Sequence, residues 1–129
     1  MTDKDRYLTL VDYDDHYSVI PDIIDEFVLR YRNNTEKELL LYWINAEEDT
    51  NEIYRQQLCE IVEKVKNNDK VQCSIELVSA DVEAMKEIMP SVKHLITNRN
   101  VHTVRAVCYA ETYGEDVEII SGVNVPVRL

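Results

Sequence analysis

Glycine is almost missing from this chain: Gly114 and Gly122 are the only two in 129 residues. Backbone cradles for phosphate need glycines in tight turns that open helices. Neither glycine opens a helical pattern, which excludes a nucleotide-binding loop. Cysteine is limited to Cys59, Cys73 and Cys108, widely separated and without a CxxC pair. That spacing argues against a thiolate zinc site, and the apolar flanks of all three fit buried, reduced thiols. No apolar run approaches the roughly 18 residues of a membrane span. Positive charge is also short, with 14 Lys and Arg against 25 Asp and Glu and a net charge of -11. That balance opposes binding to nucleic-acid phosphates and to anionic membranes, and it favours a basic protein, or a cation, as partner. The first residues, Met1 to Arg6, have neither the apolar centre of a signal peptide nor the Arg/Ser bias of a transit peptide, so cytoplasmic residence is expected.

What the chain does have is one uninterrupted apolar stretch, Leu39 to Ile44, in which Tyr42-Trp43-Ile44 are strong strand formers. A strand apolar on both faces belongs inside a sheet covered on both sides, so Trp43 is expected to be buried. Tyr7 to Tyr13 reads as a preceding strand. Ser18 and Pro21 open a helix with Ile20, Ile24, Phe27, Val28 and Tyr31 on one face. Asp49 with Glu52 three residues on forms a capping box for a second helix bearing Ile53, Tyr54, Leu58, Ile61, Val62 and Val65. Val71 to Val78 alternates strictly, with a wetter face, and is placed near a sheet edge. A third helix is expected from Ser79, with apolar spacing to Leu95, kinked or split at Pro90 and stopped at Asn98-Arg99-Asn100.

Val101 to Tyr109 and Val117 to Val127 read as two strands around the turn Thr112 to Asp116, hence an antiparallel hairpin, with Pro126 marking an edge. Strand starts at Leu8, Leu39, Val71 and His102 recur about every 31 residues, the length of one strand-helix unit. The expectation is a single α/β domain over residues 1–129, in two or three layers. It has a mixed sheet of about five strands, element order β-α-β-α-β-α-β-β, and a C-terminal antiparallel hairpin.

Ligands of open α/β sheets bind beyond the carboxyl ends of the strands. Those positions are acidic: Asp12, Asp14 and Asp15 with His16 and Tyr17 after the first strand, and Glu47, Glu48 and Asp49 after the second. Most bases, including Arg30, Arg32, Lys37, Lys64, Lys66, Lys70, Lys93 and Arg99, are expected at the opposite end. Acids at helix starts and bases at helix ends complement the helix dipole. Yet Met1 to Lys64 carries 16 acids and 7 bases, a balance of -9, more than capping two helices requires.

Asp12-x-Asp14 directly after a strand resembles the arrangement by which the haloacid dehalogenase superfamily holds Mg²⁺ and a nucleophilic carboxylate. The family's Ser/Thr two positions later is His16 here, and no later Lys with an acidic pair stands at a matching strand end, so nothing further of that family is carried over. His94 and His102 are isolated, and no cofactor is expected. The first functional expectation is a small acidic interaction module, in the manner of an inhibitor, an immunity or antitoxin protein, or a nucleic-acid mimic. It would dock on a basic protein through Asp12, Asp14, Asp15, His16, Tyr17, Glu47, Glu48 and Asp49. Two alternatives stand beside it. One is a divalent-metal-dependent phosphoesterase or phosphotransferase using Asp12 and Asp14. The other is an oligomeric scaffold subunit whose exposed strand edge pairs between copies.

Overall fold

The structure, a computed structural model, describes residues 4–12, 18–44 and 52–122. Its strands are β1 (Asp5–Leu10), β2 (Lys37–Ile44), β3 (Ser74–Ala80), β4 (His94–Thr97) and β5 (Glu118–Ser121). Between them lie α1 (Ile20–Tyr31), α2 (Glu52–Lys66), α3 (Met85–Ile88) with a following 3-10 turn (Met89–Ser91), and α4 (Thr103–Tyr113). The sheet runs β3-β2-β1-β4-β5, and every pairing is parallel.

β2 behaves as its composition dictates. Leu39, Leu41 and Trp43 enter one core cluster with Ile20, Ile23, Ile24 and Phe27 of α1 and Leu58 and Val62 of α2. Leu40, Tyr42 and Ile44 enter a second with Met85, Met89, Val92, Ala106 and Ala110 from α3, the 3-10 turn and α4. Helices thus cover both faces, a three-layer arrangement, and Trp43 is 1% exposed. Tyr42 tolerates full burial because its hydroxyl donates to Asp81 O at 2.7 Å. Burial pushes its phenol up to about 12, with Asp81 and Glu87 adding to the rise. β3 lies at an edge, as its alternation indicates. β2 is interior, but β1 is the middle strand.

The expected antiparallel hairpin is not borne out among the described residues. The segment read as its first strand is the helix α4, and β5 runs parallel to β4. Val101, Val104 and Val107 give this segment the look of a strand. Its decisive spacing is Ala106 to Ala110, i to i+4, two small side chains that bury one helix face closely against the sheet. A parallel neighbour needs such a crossover element, whereas a tight turn serves only antiparallel strands. α4 stops at Gly114, whose amide bonds Ala110 O at 3.1 Å. A Cβ there would meet Val117 Cγ2 at 2.5 Å and Ala110 O at 2.6 Å, so the turn into β5 needs glycine.

The long third helix is also broken up. Ser79 and Ala80 finish β3, α3 is a single turn, Pro90 sits in the 3-10 turn, and Val92 is extended at φ -86, ψ 133. Pro90 cannot donate a helical hydrogen bond, and the chain leaves helical geometry there to form β4. His102 accordingly stands at the N-cap position of α4 and starts no strand, which ends the apparent spacing of strand starts. Ile53, assigned to the inner side of α2, is 73% exposed. Cys73 is buried and its thiol is pushed up by burial, whereas Cys108, expected in the core, is exposed on α4. The capping box at Asp49 and the edge role of Pro126 lie outside the described residues.

Candidate functional site

The chain winds outward from β1 to β3 on one side, then returns past β1 to place β4 and β5 on the other. The strand order therefore reverses between β1 and β4, and the crevice beyond their carboxyl ends is where an α/β sheet of this kind binds a ligand. The residues there are Val11 and Asp12 after β1, Ser18 before α1, Tyr54 on α2, and Asn98, Asn100 and Thr103 after β4.

These side chains satisfy one another. Asn98 Nδ2 donates to Leu10 O and, at 3.3 Å, to Thr9 Oγ1, while Asn98 Oδ1 accepts from Asn100 N at 2.9 Å and Thr103 Oγ1 at 3.0 Å. Asn100 Nδ2 donates to Val11 O at 2.7 Å, and Asn100 Oδ1 accepts from His102 N at 2.8 Å. Both asparagines are buried. Beyond its last ladder bonds, β1 would leave carbonyls unpaired, and the two amides close that gap from the β4–α4 connection. The crevice is filled by its own clamp.

Asp12 is fully buried. Its Oδ2 accepts from Val19 N at 3.0 Å, and its Oδ1 accepts from Ser18 Oγ and, at 3.4 Å, from Tyr54 Oη. The expected N-cap, Ser18, does take a bond from Ile20 N at 3.4 Å, but the shorter contact to the opening of α1 is the carboxylate of Asp12. A buried carboxylate at a helix start satisfies amides that have no intrahelical acceptor and complements the positive helix end. Asp12 is thereby turned into the domain. Asp14, Asp15, His16, Tyr17, Glu47, Glu48 and Asp49 lie outside the described residues, and with Asp14 so does half of the weak metal alternative. Among the described residues, no three His, Cys, Asp or Glu side chains are grouped as a metal would need.

No family model matches the chain, and no curated protein matches it. The chemistry of the surface has to be read from its own residues.

β1 and β2 end at Leu10 and Ile44, and α1 and α2 begin at Ile20 and Glu52, so the acidic segments connect the carboxyl ends of two strands to two helix starts. The helices they lead into continue the acidic character outward: Asp22, Asp25, Glu52, Glu60 and Glu63 are exposed on α1 and α2. Composition places the surplus charge in the first half of the chain; of these acids the sequence gives a role only to Glu52, in a capping box, and none to Asp22, Asp25, Glu60 and Glu63. Two exposed apolar residues stand among them, Leu29 at 69% and Ile53 at 73%.

Several bases at the opposite end are tied to local acids, Arg6 to Glu38 at 3.3 Å, Lys66 to Glu76 at 3.0 Å, and Lys37 to Asp5. Arg99 departs from the expected segregation, since it follows β4 and lies on the same rim as Asp12. Beyond β3, Glu83 bonds Lys86 at 2.7 Å, and that bond holds its carboxyl below the usual range. No helix among the described residues is long and apolar enough to cross a membrane.

Proposed function

We propose that this chain is a small acidic interaction module that docks on a basic protein, in the manner of an inhibitor, an immunity or antitoxin protein, or a nucleic-acid mimic. The observation that carries the reading is the surplus of 16 acids over 7 bases in residues 1–64, with Asp22, Asp25, Glu52, Glu60 and Glu63 exposed on one helical layer. A crevice filled by Asn98 and Asn100 directs attention from the sheet interior to that surface. The docking face comprises Asp14, Asp15, Glu47, Glu48 and Asp49 with the outer faces of α1 and α2, and Leu29 and Ile53 supply apolar contact within it. Asp12 positions α1 from below.

The test immobilises the full chain and captures proteins from its native source at low salt. The recovered partner is expected to be basic and to elute as salt is raised. Asp14→Asn with Asp15→Asn and Glu48→Gln is expected to lower its association rate by about tenfold, because steering by a charged patch acts chiefly on encounter. Glu111→Gln with Glu115→Gln, on and just beyond α4 in the other helical layer, is the control and is expected to change little. Loss of capture in the control set alone, or recovery of proteins without basic character, would contradict the reading.

A further inference from the structure

Lys37, Asp5, His94 and Glu118 stand in one row across four neighbouring strands. Lys37 and Asp5 are register partners on β2 and β1, and His94 and Glu118 are register partners on β4 and β5. Asp5 precedes Tyr7, the register partner of His94, by two residues, so it shares the face on which Tyr7 meets the imidazole. The side chains join along the row. Lys37 Nζ donates to Asp5 Oδ2, Asp5 Oδ1 lies 2.7 Å from His94 Nε2, and Glu118 Oε1 lies 2.7 Å from His94 Nδ1. The Tyr7 ring stacks on the imidazole at 4.1 Å between centroids with planes 17° apart, and the Tyr7 hydroxyl bonds that of Tyr31 at 3.1 Å.

Both nitrogens of His94 face carboxylate oxygens, which only accept. A neutral imidazole has a single N–H and makes one of these bonds, whereas the imidazolium makes both. With the imidazolium, the row alternates plus, minus, plus, minus from β2 to β5. The groups facing the ring are Asp5 and Tyr7 from β1 and Glu118 from β5, with Lys37 of β2 and Tyr31 of α1 one contact further. Arg6 and Glu38 pair with each other apart from this row. Burial works against ionisation of Asp5, yet its bond to Lys37 and the charge of His94 hold its carboxyl below the usual range.

The geometry points to a proton-operated clasp on the edge strand β5. β5 is four residues long, pairs among the described residues with β4, and is bracketed by the bonds Glu118 N to Lys93 O at 2.9 Å and Gly122 N to Thr97 O at 2.8 Å. Protonated His94 ties β5 through Glu118 to β4 and, through Asp5, to the middle strand. Loss of the ring proton removes one of the two bonds and leaves two carboxylates against a neutral ring. The clasp is therefore complete while the ring is protonated and both carboxylates are ionised, and it loosens as the ring proton is lost at higher pH.

The test is amide hydrogen exchange at Glu118 and Gly122, corrected for intrinsic rates and referred to the amides of β2, at about pH 5.5 and about pH 8. In the wild type, relative protection of the two amides is expected to fall about fivefold on raising the pH, the contribution of one cross-strand charged bond. His94→Gln, which keeps one donor without charge, and Glu118→Gln are expected to abolish that dependence. Glu118, with a side chain 63% exposed, tolerates substitution and carries the test if His94→Gln does not fold. Nitrogen spectra of the wild-type ring at the lower pH are expected to show both nitrogens protonated. Protection of β5 that ignores pH in the wild type, the same pH dependence in Glu118→Gln, or a ring with a single N–H at about pH 5.5 would overturn the clasp.

Discussion

Asn98→Ala is expected to lower the melting temperature by roughly 10 °C, well beyond the effect of an ordinary polar substitution. The side chain is buried, donates to Leu10 O and accepts from Asn100 N and Thr103 Oγ1. Alanine leaves those groups in the interior without their partner. An orphaned buried polar group costs about 1–3 kcal/mol, and partial relaxation of the connection brings the total to about 3 kcal/mol. Asn98→Asp separates the two halves of the role: it keeps an acceptor for Asn100 N and Thr103 Oγ1 but sets a carboxylate oxygen against Leu10 O, and it is expected to lose nearly as much. Thermal denaturation followed by circular dichroism checks both. A fall of only about 1 or 2 °C in Asn98→Ala, the scale of a surface change, would show that the clamp between β1 and β4 is dispensable.

Asp12→Ala is expected to cost about 3 kcal/mol as well, for a different reason. It removes an acceptor from Val19 N and from Ser18 Oγ, and a negative charge from the start of α1. Asp12→Asn keeps one oxygen but turns a donor toward one of those donors, so a smaller loss of about 1–2 kcal/mol is expected. The pair also tests the metal alternative. A carboxylate engaged by protein donors has little left for a cation, so millimolar Mg²⁺, Mn²⁺ or Ca²⁺ is expected to leave the wild-type melting temperature unchanged. A metal-dependent rise in the wild type that disappears in Asp12→Asn would restore the metal site and displace the capping role.

Much of the architecture was legible because it rests on long, strongly patterned segments. Leu39 to Ile44 could only be an interior strand, and Trp43 is buried as that required. α1 and α2 carry their apolar faces, and their last turns carry Arg30, Lys64 and Lys66. β4 was not legible, because four residues are too few to show alternation and they follow apolar spacing that continues the helical pattern before Pro90. α4 was hidden by three β-branched valines that outweighed the Ala106 to Ala110 spacing. Asn98 and Asn100 read as a helix stop, whereas their amides bridge to a strand 88 and 89 residues away in sequence, a partnership no local pattern reveals. Asp12 looked like one more rim acid for the same reason. The donors that bury it are fixed by how α1 and α2 pack, and the charge count alone cannot separate an acid that caps a helix from one that meets a partner.

If the acidic surplus of the first half serves association with a basic protein, its signature is kinetic. The decisive quantity is the association rate of the full chain with the basic protein it captures, taken across ionic strength from about 0.02 to about 0.3 M, over which the screening length shortens from roughly 20 Å to under about 8 Å. The on-rate is expected to fall by about tenfold or more over that range while the off-rate changes little, and Asp14→Asn with Asp15→Asn and Glu48→Gln is expected to flatten the slope. An on-rate that ignores salt, with the same value in the neutralised variant, would refute a docking role and leave the acidic balance to helix capping and solubility.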